Sequence, residues 1–260
     1  MENRMNKPFV INGNNVAEYA KKIASWIQER VIEANRKGVV LGMSGGIDCS
    51  VVARLCQIAN INIHLVMMPY GNDMKNSKSS IHAMELINKF DFSYHVYNIQ
   101  PAVDALTIVD EKITVNTNAA NKELSLANIR PRVRMTYLYQ FAQLDSRFVA
   151  GTGNMAERTV GYFTKWGDGA CDFNPLAMLT KQEVYILAQH LGVPDSIVNK
   201  KPSAGLWEGQ TDEDELGMTY AQIDSYILNG TSGDENIDSQ IKKRMEMSAH
   251  KFDEIPVFKG

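Results

Sequence analysis

The chain has 260 residues, 44% of them hydrophobic and 22% charged, a balance that belongs to ordinary globular proteins and excludes the disordered and collagen-like classes. One core of this size buries roughly three quarters of the unfolded chain's surface, so a single domain over 1–260 is expected. A formal net charge of −3 argues against a protein that grips long nucleic acid, which needs a basic face, and leaves small anionic ligands open.

No apolar run approaches the ~20 residues of a membrane span, and the start MENRMNKPFV lacks the apolar stretch of a secretory signal, so a cytoplasmic protein is expected. Cys49, Cys56 and Cys171 form no CxxC pair and suit neither a disulfide framework nor a zinc site. They read as reduced thiols. The five histidines are scattered, with no HExxH metal motif.

The first helix is predicted from about Asn14 to Asn35, because Val16, Ala20, Ile23, Ile27 and Val31 recur on one helical face. After Gly38, the run Val39 to Met43 fits a strand buried on both sides. Helical spacing returns from Ile47 to Ala59, and His64 to Met68 reads as a second buried strand. Ser80 to Phe90 is predicted helical, and Ser93 to Ile99 alternates as a third strand. Pro131 is expected to open a helix at its first turn, followed by a short strand over Arg147 to Ala150. Val160 to Asn174 has no period and reads as a functional loop. Capping boxes at Thr180–Glu183 and Thr219–Gln222 then announce two more helices. Strands alternating with helices predict an α/β fold, a mainly parallel sheet with helices on both faces. Ligands then bind at the carboxyl ends of the strands, where the turns at Ser44 and Gly151 should lie side by side.

The turn Ser44-Gly45-Gly46-Ile47-Asp48-Cys49-Ser50 stands between a buried strand and a helix. Its paired glycines admit a close anion, and the helix start directs free N–H groups and partial positive charge toward it. Ser44, Cys49 and Ser50 are expected on the rim. An acid such as Asp48 beside phosphates makes sense if it holds a magnesium ion bridging them. No lysine stands at the helix start, so this is not the GxxxxGK[ST] loop. The SGGxDS pattern resembles the pyrophosphate-binding loop of the ATP pyrophosphatases, which split ATP between its α and β phosphates. Gly151-Thr152-Gly153-Asn154-Met155-Ala156 matches GxGxxA, with Asp172 near the spacing of a ribose-binding acid. The intervening FTKWGDGACD lacks the second strand that a dinucleotide fold requires.

Together, GTGNMAERTVGYFTKWGDGACDFNPLAMLTK and KKPSAGLW resemble the ammonia-dependent NAD synthetases, and the likeness extends from the first helix to the HKFDEIP segment. It implies a Rossmann-like sheet of the adenine nucleotide alpha hydrolase type, a homodimer, and ATP-dependent amidation of deamido-NAD by ammonia. It also implies roles for particular residues. Gly42, Met43, Ser44, Gly45, Gly46, Ile47, Cys49, Ser50, Thr152, Lys181 and Ser203 correspond to ATP contacts, and Asp48 and Glu157 to ligands of a Mg2+ ion. Arg132, Lys165, Asp172, His250 and Lys251 correspond to residues holding deamido-NAD. Asp168 resembles an acid near the incoming ammonia; with Asp48 and Lys181 it makes up the expected catalytic group. The chain departs from the family pattern in three places: Cys49 stands for a usual serine, Ser203 for threonine, and Gly153-Asn154 for Asp-His. Two other readings of the loop are a tRNA-modifying ATP pyrophosphatase, which calls for a basic patch and often paired cysteines, and a non-catalytic ATP-binding module.

Overall fold

A computed structural model of the chain describes residues 7–71, 77–107, 119–202 and 211–258, the side chains of 119 and 120 excepted. Helix α1 (Val16–Glu33) leads into strand β1 (Val39–Gly42), α2 (Ile47–Ile58) and β2 (Ile63–Met67). Then follow α3 (Lys78–Phe90), β3 (Tyr94–Val96), α4 (Gln100–Leu106), α5 (Ala119–Leu144) and β4 (Phe148–Val149). The described elements that follow are helices: α6 (Met155–Val160), α7 (Lys181–His190), α8 (Asp195–Val198), α9 (Asp212–Leu216), α10 (Tyr220–Asn229) and α11 (Glu235–Met247). A 3-10 turn, Ala249–Lys251, comes last among the described residues.

The sheet is wholly parallel, in the order β3-β2-β1-β4. Phe173 makes an isolated parallel bridge to Ala150 and so extends the sheet beyond β4. Successive residues of a strand point to opposite faces, and both faces here are apolar and covered. Val39, Leu41, Leu65 and Met67 pack with Ile27, Val51, Leu55, Leu86 and Leu187, in the layer of α1, α2, α3 and α7. Val40, Val66 and Val149 point the other way, against Val103 of α4 and Val133 and Leu138 of α5. A separate apolar cluster joins α6, α9, α10 and α11 through Met155, Leu216, Ile223 and Ile241.

Most predicted elements recur within two residues of their predicted ends, the uncertainty usual for helix boundaries. Two differ. Pro131 lies inside α5, which begins twelve residues earlier at Ala119. The ring packs against the 161–170 loop, its Cβ lying 3.1 Å from where a side chain on Gly167 would start. The third strand shrinks to three exposed residues at the sheet edge, since among the described residues only β2 pairs with it.

Candidate active site

The sheet order sets the site. From β1 the chain moves outward to β2 and β3, whereas β4 pairs with β1 on its other side, and a crevice opens where the direction reverses. The Ser44 and Gly151 turns both leave from this point, side by side as expected. Gly45 has φ +72, and a Cβ there would meet the carbonyl oxygen of Ser79 at 2.1 Å, so the position accepts only glycine. Gly46 then caps α2 without a side-chain bond.

Ser44 is exposed, and its Oγ accepts the Gly46 N–H at 3.3 Å. Cys49 and Ser50 are not on the rim: they are only 3% and 0% exposed. The Ser50 hydroxyl donates to the Gly46 carbonyl at 2.7 Å, and Cys49 Sγ lies 3.2 Å from the same oxygen. Both face inward because α2 packs this side against the sheet, and both brace the turn from beneath. Gly42 ends β1, and Met43 and Ile47 are buried under the loop.

Below the turn, Lys181 Nζ donates to Asp48 Oδ2 at 2.7 Å and lies 3.6 Å from Glu157 Oε1. The lysine side chain is 3% exposed and each carboxylate side chain 18%. Burial pushes the Glu157 carboxyl up to about 8, and the charge of Asp48 adds to the effect while Lys181 opposes it. Burial opposes the charged form of Lys181 as well, but Asp48 and Glu157 hold its ammonium above the usual lysine range. Lys181 is thus a fixed cation between two acids.

Fully buried Asn154 ties the group together. Its Nδ2 donates to Asp48 Oδ1 at 3.0 Å, its Oδ1 accepts the Glu157 N–H, and its own N–H reaches Glu157 Oε2. The last two of these bonds form the capping box of α6. Lys181 is held from its backbone too. Thr180 accepts the Glu183 N–H, and Asp224 of α10 accepts the N–H groups of Lys181 and Gln182 at 3.0 and 2.9 Å. The first three donors of α7, which have no partner inside the helix, are all paired.

A second group gathers around the 161–170 loop. Arg132 Nε donates to the Lys165 carbonyl at 3.3 Å, and Lys165 Nζ to the His250 carbonyl at 2.5 Å. Lys251 Nζ donates to the carbonyls of Gly161 and Phe163 at 2.7 and 2.6 Å. Asp168 is exposed and accepts the Thr164 N–H at 2.9 Å. The turn it closes holds Trp166 at φ 63, a left-handed conformation that is costly for an aromatic residue. Five predicted residues, Arg132, Lys165, Asp168, His250 and Lys251, therefore come together from α5, the loop and the C-terminal segment.

Asp172 stands apart from them. Its Oδ2 accepts the Val149 N–H at 2.7 Å, and its Oδ1 lies 3.5 Å from the Tyr139 hydroxyl, so here it serves as a side-chain partner of β4. Thr152 is half-buried at the Gly151 turn. Ser203 lies outside the described residues. All three cysteines are free thiols, and no group of three acidic, histidine or cysteine side chains that could hold a metal occurs among the described residues.

Sequence reasoning left three contributors off its list of site residues. Asn154 had a legible signal, since an Asn three residues before Glu157 is a capping-box pattern. Asp224 had none, because its partners are 43 and 42 residues away. Nor did Arg134, whose guanidinium donates to the Met68 carbonyl at 3.1 Å, just past β2, and is pushed down to about 10 by burial and by Arg130.

This arrangement has known counterparts. The family model described as NAD synthase matches residues 19–258. The chain belongs to the NAD synthase family. A curated relative, the NH(3)-dependent NAD(+) synthetase of Carboxydothermus hydrogenoformans, is 42% identical over 94% of this chain and 98% of its own length. Among solved structures, an NMN synthetase from Francisella tularensis matches with TM-score 0.84 and 35% identity, over 94% of this chain and 99% of that one. An NH3-dependent NAD synthetase from Campylobacter jejuni matches with TM-score 0.74 and 31% identity over the same shares. The family's use of ATP accords with the strand-end turn at Ser44, and its sheet has the Rossmann-like, adenine nucleotide alpha hydrolase-like form expected for this chain.

Proposed function

We propose that this NAD synthase family member amidates deamido-NAD with ammonia, at the expense of ATP, to give NAD, AMP and pyrophosphate. The observation that carries the reading is the buried Asp48–Lys181–Glu157 group, set under a glycine turn at the switch point of the sheet. A bare carboxylate is a poor electrophile and must first be activated. One carboxylate oxygen of the substrate bonds to the α-phosphorus of ATP, and the bond from that phosphorus to the oxygen leading to the β-phosphate breaks, releasing pyrophosphate. The ammonia nitrogen then bonds to the acyl carbon, the carbon–oxygen bond to AMP breaks, and one proton is lost from nitrogen.

Asp48 and Glu157 would hold magnesium. They fit it: two hard-oxygen carboxyl groups converge on one site, and a cation that displaces the proton favoured on Glu157 by burial meets one negative charge more than Lys181 neutralises, a donor set suited to Mg2+ completed by phosphates and water. Such an ion neutralises charge that builds on phosphate oxygens. Lys181 pairs with Asp48 and opposes the burial that favours a protonated Glu157, and the Ser44–Ile47 backbone offers N–H donors to the departing pyrophosphate. The loop around Trp166, with Arg132, Lys165 and Lys251, would bind the acid substrate, and Asp168 would accept the proton lost by the attacking nitrogen.

The chain works as a cytoplasmic homodimer in this reading. No helix among the described residues is long and apolar enough to cross a membrane. Exposed Tyr94 and Val96 on the edge strand, next to the ring series His95, Tyr97 and Phe141, support a partner surface there.

Purified protein supplied with ATP, magnesium, ammonium and deamido-NAD should yield NAD, AMP and pyrophosphate in equal amounts; absence of AMP would sink the reading. A second reading, in which the acid is the corresponding mononucleotide, is favoured by the NMN synthetase match at TM-score 0.84. Running both acids in the same assay and comparing kcat/KM decides between them.

A further inference from the structure

The Ser44 turn lacks the lysine that GxxxxGK[ST] loops carry at their helix start. The fold brings one from far along the chain. Lys200 follows α8, and its Nζ lies 3.1 Å from the Ser79 hydroxyl, 121 residues away. Ser79 belongs to the first turn of α3, and its carbonyl oxygen is the atom that a Cβ on Gly45 would strike at 2.1 Å. The Ala83 nitrogen, one turn further on, would lie 3.0 Å from the same Cβ. The opening turns of α3 thus lie directly against the glycine turn, and Lys200 is anchored where the two meet. Cys49 within the loop acts electrostatically on its ammonium, whose charge in turn holds His82 on α3 below its ordinary range, an effect second to burial.

The surroundings of Lys200 differ from those of Lys181 in one decisive respect. Lys181 is held between two carboxylates. Lys200 takes part in none of the ion pairs among the described residues, and the bond to Ser79 joins it to a neutral hydroxyl. It is nevertheless half-buried. Removing an ammonium from water without an opposite charge costs free energy, and burial lowers its pKa accordingly. An anion arriving at the turn would relieve that cost.

We propose that Lys200 is a phosphate-binding residue of this site, donating to the pyrophosphate portion of ATP and to the pyrophosphate it leaves behind. This rests on the function proposed above. It divides the labour between two lysines: Lys181 fixes the carboxylates, and Lys200 supplies the positive charge that faces the phosphates. The turn then has the cation its sequence omits, delivered through the tertiary structure.

The test is calorimetric titration of inorganic pyrophosphate, with magnesium, into wild-type protein and into Lys200→Ala, Lys200→Gln and Lys200→Arg, with melting temperatures recorded alongside. Lys200→Ala and Lys200→Gln should both weaken pyrophosphate binding and raise KM for ATP about tenfold or more, the scale of one hydrogen bond to a charged group. KM for ammonia should not move, and Lys200→Arg should restore most of the affinity. Glutamine keeps a donor and much of the length, so wild-type pyrophosphate affinity in folded Lys200→Gln would overturn the proposal and leave Lys200 a strut for α3. A wild-type protein that neither binds pyrophosphate nor makes NAD would instead refute the functional reading beneath it. If Lys200→Ala fails to fold, the contrast between Gln and Arg decides.

Discussion

At Asp48, Asn154, Glu157 and Lys181, four side chains from two helix starts and one helix cap satisfy one another in a space nearly closed to water. Removing Asp48 takes the 2.7 Å partner from Lys181 and leaves it only the longer contact to Glu157. Asp48→Ala should therefore lower stability by about 3 kcal/mol, the scale of breaking a buried ion pair, and reduce kcat by ~10²-fold or more. Adding Lys181→Met should return much of the stability without returning the rate. Urea melts of the two single variants and the double variant form the cycle; equal destabilisation in the double variant and in Asp48→Ala would contradict the pairing. Asn154 is governed by the same geometry. Asn154→Ala removes a helix cap, worth about 1 kcal/mol, and frees one oxygen of Asp48, so its loss of rate should exceed its modest loss of stability in a parallel assay and melt.

Among the elements, α7 carries the site most directly, because its first residue is Lys181. Thr180 and Glu183 form a reciprocal cap, Glu183 is paired with buried Lys7 at 2.8 Å, and Asp224 receives two further backbone donors. Burial raises the pKa of Asp224, while those two N–H groups pull the other way. Asp224→Ala would strand both donors, each costing about 1 to 3 kcal/mol when buried without a partner. The expected outcome is a drop in melting temperature together with a fall in kcat. Asp224→Asn, which keeps one acceptor oxygen, should fall between wild type and alanine in both measurements.

For the molecule as a whole, the apolar layer between the sheet and α1, α2, α3 and α7 holds a titratable thiol with no exposed surface. Cys56 is 0% exposed, and burial pushes it up to about 12 from 9.0. On unfolding, the thiol loses its proton near pH 9 while the folded chain keeps it. The folded state therefore binds more protons in that range, and stability falls as pH rises from about 9 toward 12. Below pH 9 the thiol contributes no slope. Denaturant titrations at pH 7.5, 9 and 10.5 should show wild type losing stability faster than Cys56→Ala at the alkaline end, and parallel curves would refute this burial effect.

How much of this was legible beforehand follows from the range of each interaction. The helices and strands were legible because apolar periodicity is a local signal, and it already placed the Ser44 and Gly151 turns at strand ends. Pro131 misled because a helix start is also a local inference, whereas α5 extends over twelve residues before the proline. Cys49 and Ser50 misled because an anion-binding turn has an inner and an outer side, and only packing says which is which. Local pattern along the chain was enough for the family and the layered α/β sheet, and it nominated the residues proposed for an ATP site. Only the tertiary structure decided that Lys181 pairs with Asp48 across 133 positions, that Asp172 joins the sheet, and that Lys200 meets Ser79. Such partners are chosen by distance in space, where charge and hydrogen bonding act, and distance along the chain carries no trace of it.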